Sequence, residues 1–246
     1  MNEKVGKIMI AVVAMLAGAA GSVAVMGAGA SDAPVTSRAE IEKIVREYIL
    51  AHPEILPEAM DNLERKTASA AVAANKSSIE KPFGTAWEGA SDADVTLVQF
   101  FDYACGYCRA SRPDIERLLA EDKKLRIVYR ELPILGAASN DAAKASLAVA
   151  KLGGNYIAFH KAMYAGGRPN PGLISKALAV AGVNEDQAKN AANAQEVAAE
   201  VSSNLDLQRK LRLNGTPSWV VGDHLGIGAI GYDDLKKLIA DHRASN

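Results

Sequence analysis

Val95-Thr-Leu-Val-Gln-Phe-Phe101 runs directly into Asp102-Tyr-Ala-Cys105-Gly-Tyr-Cys108-Arg109, after which Ile115, Leu118 and Leu119 follow at helical spacing. The first run is rich in β-branched and aromatic residues and bounded by Asp94 and Asp102, which suits a buried central strand. Strand, Cys-x-x-Cys and helix in that order put Cys105 at or just before the first turn of a helix. There the unpaired backbone N–H groups and the positive end of the helix dipole stabilise an anion. A thiolate forms at such a place more readily than at the ordinary thiol pKa of about 8.5, and the thiolate is the species that attacks disulfides. Cys108 falls about one turn further on, near enough to close a disulfide with Cys105 and so to act as the resolving thiol.

With 246 residues, 49% of them hydrophobic and 23% charged, the chain can build one good core and a small second unit, and it is not collagen-like, a coiled coil alone or disordered. Its 28 basic and 29 acidic side chains nearly cancel and form no basic block, so no nucleic acid or anionic lipid partner is expected. Cys105 and Cys108 are the only cysteines, which excludes a disulfide-stapled scaffold, a lipid-modified third Cys and a four-Cys zinc site. Two readings stay open beside redox chemistry. The pair could be half of a metal site, although His52, His160, His224 and His242 lie far off in sequence and none has zinc-finger spacing. It could also be a structural disulfide, although so short a loop removes little unfolded-state entropy when closed. No cofactor and no resident metal are expected.

Lys4 and Lys7 precede an uncharged stretch from Ile8 to Ala30, and Ala28-Gly29-Ala30 ahead of Ser31 has the small-x-small pattern of a signal-peptidase site. Residues 1–30 therefore read as an export signal. The competing reading is an uncleaved membrane anchor, since about 20 apolar residues span a bilayer; the Gly and Ala after Leu16 favour cleavage. Either way the rest of the chain is expected in the periplasm or on the extracytoplasmic face of the membrane, where thiols are not kept reduced. Ser37 and Glu40 then form a capping box, with Ile41, Ile44, Val45, Tyr48 and Ile49 on one helical face. His52-Pro53 interrupts this helix, and a second is expected from about Pro53 to Thr67. Two such helices must bury their apolar stripes on the main domain, on each other or on copies of themselves. The Ala, Ser and Asn run from Ala68 to Ser78 reads as a connector. The expected organisation is residues 1–30 as signal or anchor, 31–80 as a helical oligomerisation segment with linker, and 81–246 as the main domain.

Further on, Leu125-Arg-Ile-Val-Tyr-Arg130 alternates like a strand and ends at Glu131-Leu-Pro-Ile. Ala-rich helical stretches fill the chain from Ala137 to Gln208, Gly215-Thr-Pro217 opens another strand through Val221, and an amphipathic helix runs from Tyr232 to Asp241. Trp219 reads as core rather than as a substrate platform. The fold class is α/β.

On Val95-Thr-Leu-Val-Gln-Phe-Phe-Asp-Tyr103, Cys105-Gly-Tyr-Cys108, Glu131-Leu-Pro-Ile-Leu-Gly136 and Gly215-Thr-Pro217, the chain from about Pro82 onward resembles the DsbA-like thiol:disulfide oxidoreductase family. That resemblance implies a thioredoxin fold with a helical block inserted at about 137–208 and preceded by an N-terminal helical segment. It implies a cis Pro217 facing the Cys pair, with the backbone of Thr216 pairing with substrate chains. A cis X–Pro bond is uncommon, about 5% of cases, and the plainer alternative is a trans Pro opening a strand. Gly-Tyr between the cysteines and Thr before the proline resemble the isomerase or reductase type more than the strong oxidase. The N-terminal helices resemble the oligomerising segment of ScsC-like proteins, some of which are trimeric isomerases. The implied partners are exported Cys-containing client proteins, a membrane redox partner that recycles the pair, and copies of the chain itself in a homo-oligomer such as a trimer formed through residues 31–80. Tyr107 is read as contact surface for clients rather than as an acid. In one respect the chain departs from the pattern: many relatives carry Glu in the strand where this chain has Gln99, and Gln cannot accept the proton of the resolving thiol. Glu131 and Asp102 are the candidates for that task, each with a plain solvated carboxylate as the alternative. A disulfide-donating oxidase of the same fold, and a non-catalytic envelope carrier of copper or client proteins, are the other functional readings.

Overall fold

The computed structural model describes residues 37–245, so the export-signal reading of residues 1–30 lies outside them. The chain divides into two compact units, one reaching to Glu58 and one from Ala59 onward. In the first, helix α1 (Arg38–Ala51) begins at the expected capping box: the Glu40 N–H donates to Ser37 Oγ at 3.3 Å, and the Ser37 N–H donates back to the Glu40 carboxylate at 2.8 Å. It ends at His52, the residue before Pro53, where helical backbone is disfavoured. None of its residues is buried, and Ile41, Ile44, Val45 and Tyr48 are each at least half exposed. Among the described residues no helix is long and apolar enough to cross a membrane.

Helix α2 (Ile55–Glu80) corrects the expected connector. It continues through the Ala-rich run to Glu80 because Ala carries the lowest helical cost and because Val72 and Ile79, two turns apart, are both fully buried. They pack with Val98, Phe100, Val128, Leu132 and Leu207 on one face of a sheet.

The sheet has the order β1-β3-β2-β4-β5, built from β1 (Trp87–Gly89), β2 (Val95–Phe101), β3 (Leu125–Glu131), β4 (Ser218–Val221) and β5 (His224–Ile227). Strand β2 pairs in parallel with β3 and antiparallel with β4, while β1 and β5 close the edges antiparallel. β2 and β3 are covered on both faces and buried at all but one position each, and β2 reads as a nearly continuous apolar run. Alternate residues sort cleanly: Leu97, Phe101, Ile127, Tyr129, Trp219 and Val221 face one cluster, which also contains Cys105 and Cys108, and the residues between them face the cluster of Val72 and Ile79. The Trp219 indole N–H donates to Gly228 O at 2.9 Å, in keeping with its reading as core. After β2 come the short α3 (Gly106–Ala110) and α4 (Arg112–Glu121). Between β3 and β4 lie α5 (Ala137–Lys151), α6 (Tyr156–Ala165), α7 (Pro171–Val180), α8 (Glu185–Ala192) and α9 (Gln195–Lys210), and α10 (Gly231–Ala244) ends the described chain. The β4–β5 turn needs Gly222, at φ +57°, where an added Cβ would sit 2.2 Å from the His242 ring.

Arg130 of β3 fastens the end of α2 to the sheet. The last carbonyls of a helix have no partner within it, and here the buried guanidinium supplies one: it donates to Ile79 O at 3.1 Å, to Lys81 O at 2.5 Å and to Ser78 O. It also pairs with Glu200 at 2.6 Å and with Asn204 Oδ1 at 3.3 Å, both on α9. Arg130→Met should therefore lower stability by about 3–5 kcal/mol in urea unfolding, the cost of stranding a buried charge and its acceptors. A loss below about 1 kcal/mol would mean that the end of α2 is held by its apolar contacts alone.

Candidate active site

Cys105 is the N-cap of α3, in extended backbone at φ −78° and ψ 114°. Its sulfur accepts the Cys108 N–H at 3.3 Å and lies 3.2 Å from the carbonyl oxygen of Thr216, to which the thiol donates. The Thr216–Pro217 bond is cis, as the resemblance implies, and brings the loop before β4 against the cysteine loop at the end of β2. Both cysteines are free, Cys105 6% exposed and Cys108 1%.

The two thiols are driven in opposite directions. Cys105 is pulled down to about 5, first by the hydrogen bond from the Cys108 thiol and then, against the opposing effect of burial, by the Thr216 side chain and the N–H groups of Cys108 and Tyr107. Cys108 is pushed far up, first by burial and then by donating its own proton to Cys105. The free N–H groups of the first turn act as expected from sequence, and the largest contribution comes from a donor the sequence reading did not name, the neighbouring thiol. Helix α3 spans only Gly106–Ala110 before Ser111 and Pro113 break the ladder, since Pro113 has no N–H to give back along the chain. The thiolate is held by donors in immediate contact with it.

The remaining expected site residues separate into an outer and an inner set. Tyr107, in the first turn of α3, is 70% exposed. Asp102 and Glu131 are not solvated carboxylates: they are 2% and 1% exposed. Asp102 accepts from Ala104 N–H at 2.8 Å and from Leu135 N–H at 2.9 Å, so both of its oxygens serve to tie the cysteine loop to the chain after β3. Glu131 Oε1 accepts from Ser146 Oγ at 2.5 Å and from the Tyr156 hydroxyl at 2.9 Å, and burial pushes its carboxyl well above the usual carboxylate range. Gln99, on the cysteine side of β2, is buried with both amide atoms lacking a hydrogen-bond partner.

Sequence reasoning missed Tyr103, Ser146, Tyr156, His160 and Tyr164, which form the polar wall of the same cluster. A usable signal existed. Tyr156, His160 and Tyr164 recur at i, i+4 spacing on one face of α6, a polar aromatic stripe where aliphatic residues would pack a core more cheaply.

The DSBA-like thioredoxin domain family matches residues 96–240, and the family described as copper resistance protein ScsC N-terminal domain matches residues 38–70. The chain is similar to disulfide bond formation protein D of Bacillus subtilis (strain 168), at 26% identity over 164 residues that cover 61% of this chain and 73% of that protein. Among solved structures it is similar to a linker-deletion mutant of Proteus mirabilis ScsC, with TM-score 0.67 and 26% identity, covering 89% of this chain and 100% of that one. It is also similar to a thioredoxin-like oxidoreductase from Silicibacter pomeroyi DSS-3, with TM-score 0.64 and 36% identity, covering 68% and 95%.

The acidity of Cys105 links stability to pH. Its folded value lies below its unfolded one, so ionisation supports the reduced fold in full above pH about 9, less as the pH falls, and not at all below about 5. Urea unfolding of the reduced protein should show stability rising across that window relative to Cys105→Ser. Parallel pH profiles for the two proteins would contradict the assignment.

Proposed function

The chain belongs to the DSBA-like thioredoxin domain family and is a thiol:disulfide oxidoreductase of the DsbA and ScsC type, and from that premise we propose that it is an exported isomerase or reductase that reshuffles disulfides in client proteins outside the cytoplasm. The Cys105 thiolate attacks one sulfur of a client disulfide; that S–S bond breaks, a client thiolate leaves, and a mixed disulfide forms. A second client thiolate can then displace Cys105, which leaves the client isomerised. Otherwise Cys108 gives up its proton, attacks the Cys105 sulfur and releases the client reduced, and a membrane redox partner reduces the pair again. Thr216, whose carbonyl oxygen is 3.2 Å from the nucleophile, offers its backbone to the client strand; Pro217 is buried behind it, and the exposed Tyr107 adds contact surface.

The observation that carries the isomerase reading is the uncovered apolar stripe of α1, together with the ScsC N-terminal match over the same residues. A stripe of Ile41, Ile44, Val45 and Tyr48 on a helix with no buried residue suits association of several copies, here proposed as a trimer. Several exchange sites around one cleft raise the effective concentration for the next attack on a captured client. A second reading, a disulfide-donating oxidase, is favoured by the low value at Cys105, because a stabilised thiolate makes the reduced pair the preferred state and its disulfide a better oxidant.

Cys105→Ala should abolish insulin reduction; unchanged activity would remove the enzymatic reading. Ile44→Glu combined with Tyr48→Lys should reduce the particle mass in light scattering to that of one chain. The same variant should refold scrambled ribonuclease on the order of tenfold more slowly, with a smaller loss in insulin reduction. A wild-type protein that already scatters as one chain would remove the oligomeric isomerase.

A further inference from the structure

Strand β5 pairs with β4 alone, through a two-residue turn at Gly222-Asp223, and so forms one edge of the sheet. In an antiparallel ladder closed by such a turn, alternate residues exchange both backbone bonds with the partner strand. In β5 these are His224 and Gly226, so the N–H and C=O groups of Leu225 and Ile227 point away from β4. Among the described residues neither has a backbone partner on that side. A row of unpaired backbone groups is a template for a further strand.

A groove of about 660 Å3 lies along this strand, and its lining joins Arg65, Ala68 and Ala71 of α2 to Leu225 and Ile227 of β5 and to Arg212 beyond α9. Leu225 and Ile227, two residues apart, share a face of the strand, and Ile227 is 43% exposed. The lining carries three Lys and Arg side chains against one acidic residue, Glu64. Lys210 is paired with Asp206 at 2.7 Å. Among the described residues the exposed side chains of Arg65 and Arg212 have no ion-pair or hydrogen-bond partner, which leaves the groove with an excess of positive charge. Arg212 also stands in disfavoured backbone. Helix α9 ends in a Schellman motif, with the Leu213 N–H donating to Gln208 O at 2.9 Å and the Arg212 N–H to Arg209 O at 3.2 Å. That motif needs a left-handed residue, a role glycine fills most easily. Arg212 takes it at φ +54°, the one non-Gly residue with positive φ among those described. An unpaired guanidinium is thus set beside an open strand edge against the backbone's own preference.

At its Ile227 end the groove adjoins the cis-proline loop. Ile227 lies opposite Ser218, and the Gly228 N–H donates to Pro217 O at 2.8 Å. The carbonyl oxygen of the preceding Thr216 is the one 3.2 Å from the sulfur of Cys105. Resting on the reading of the pair as a thiol:disulfide exchange centre, we propose that this groove docks clients through an extended segment that carries both apolar side chains and carboxylates. The segment adds to β5 as a sixth strand and exchanges backbone bonds with Leu225 and Ile227. Its apolar side chains cover Leu225, Ile227, Ala68 and Ala71, and its carboxylates meet Arg65 and Arg212. The four residues of β5 match roughly 13 Å of extended chain. A client cysteine beyond that length passes Thr216 to reach Cys105. Clients are on this account selected by a sequence feature away from their cysteines, and the groove is a docking site, with no part in the exchange step itself.

The test is fluorescence anisotropy of the full-length reduced protein with a peptide built from Val and Glu, labelled with an uncharged dye and ending in Ser in place of Cys. It should bind on the order of tenfold more tightly than its counterpart with Lys for every Glu, the worth of two exposed charge contacts, and less tightly as salt is raised. A Pro at its centre, which has no N–H to give to β5, should weaken binding as well. Arg212→Gly should bind the Glu peptide about threefold more weakly, while its melting temperature stays level or rises because Gly suits the left-handed position. A merely structural Arg212 would do the reverse, lowering the melting temperature and leaving affinity unaltered. Adding Arg65→Ser should bring the Glu and Lys peptides to within about twofold of each other. Equal binding of the two peptides by the wild type, or a doubly substituted protein that binds as the wild type does, would overturn the docking site. The exchange reading is checked apart, with the Cys form of the Glu peptide capped by thionitrobenzoate. There the Cys105 thiolate attacks the peptide sulfur, the S–S bond breaks and coloured thionitrobenzoate leaves as a thiolate. Selective binding without that release would sink the exchange reading and leave the peptide groove standing.

Discussion

The structure turns on one contact, the donation of hydrogen bonds from Cys108, by its thiol and its N–H, to the sulfur of Cys105. That sulfur needs donors close by and a path for attack, and the fold provides both by ending β2 on a loop rather than inside a long helix. Asp102 holds the loop through amides on either side, β3 lies parallel to β2 to fix its direction, and the cis Thr216–Pro217 bond sets a carbonyl oxygen against the nucleophile. The Cys108 thiol lowers Cys105, while burial first and the same hydrogen bond second raise Cys108, so the pair is divided into an attacking sulfur and a resolving one.

The same division explains why the surroundings of the pair are so unlike on its two sides. Toward the outside stand Gly106, Tyr107 and the Thr216 backbone, a surface suited to an extended client segment. Toward the inside stand tyrosines, a histidine and a carboxyl, all out of water. Stabilising the thiolate also weakens the disulfide relative to the reduced pair, so the contact that makes Cys105 reactive bears directly on which way electrons flow.

Much of this is legible in the chain itself. The capping box at Ser37 and Glu40, the central strand Val95–Phe101 and the capping position of Cys105 depend on neighbours within a few residues, and local rules read them correctly. The Ala68–Ser78 stretch reads as a connector because its helix is secured by only two large apolar side chains, Val72 and Ile79, and by Arg130 from a distant strand. The burial of Asp102 and Glu131 could not be seen because the groups that hold them, Leu135, Ser146 and Tyr156, come from elements that meet only in the folded state. At Cys105 the free N–H groups of the first turn act as its capping position implies, and the neighbouring thiol adds the largest contribution, which spacing alone does not show.

The central claim is tested most directly by following thiolate ultraviolet absorbance of the reduced protein as the pH is raised. One sulfur should ionise with a midpoint near pH 5, while the second stays protonated well into the alkaline range. A single transition of both sulfurs near the ordinary thiol value of about 8.5 would contradict the account.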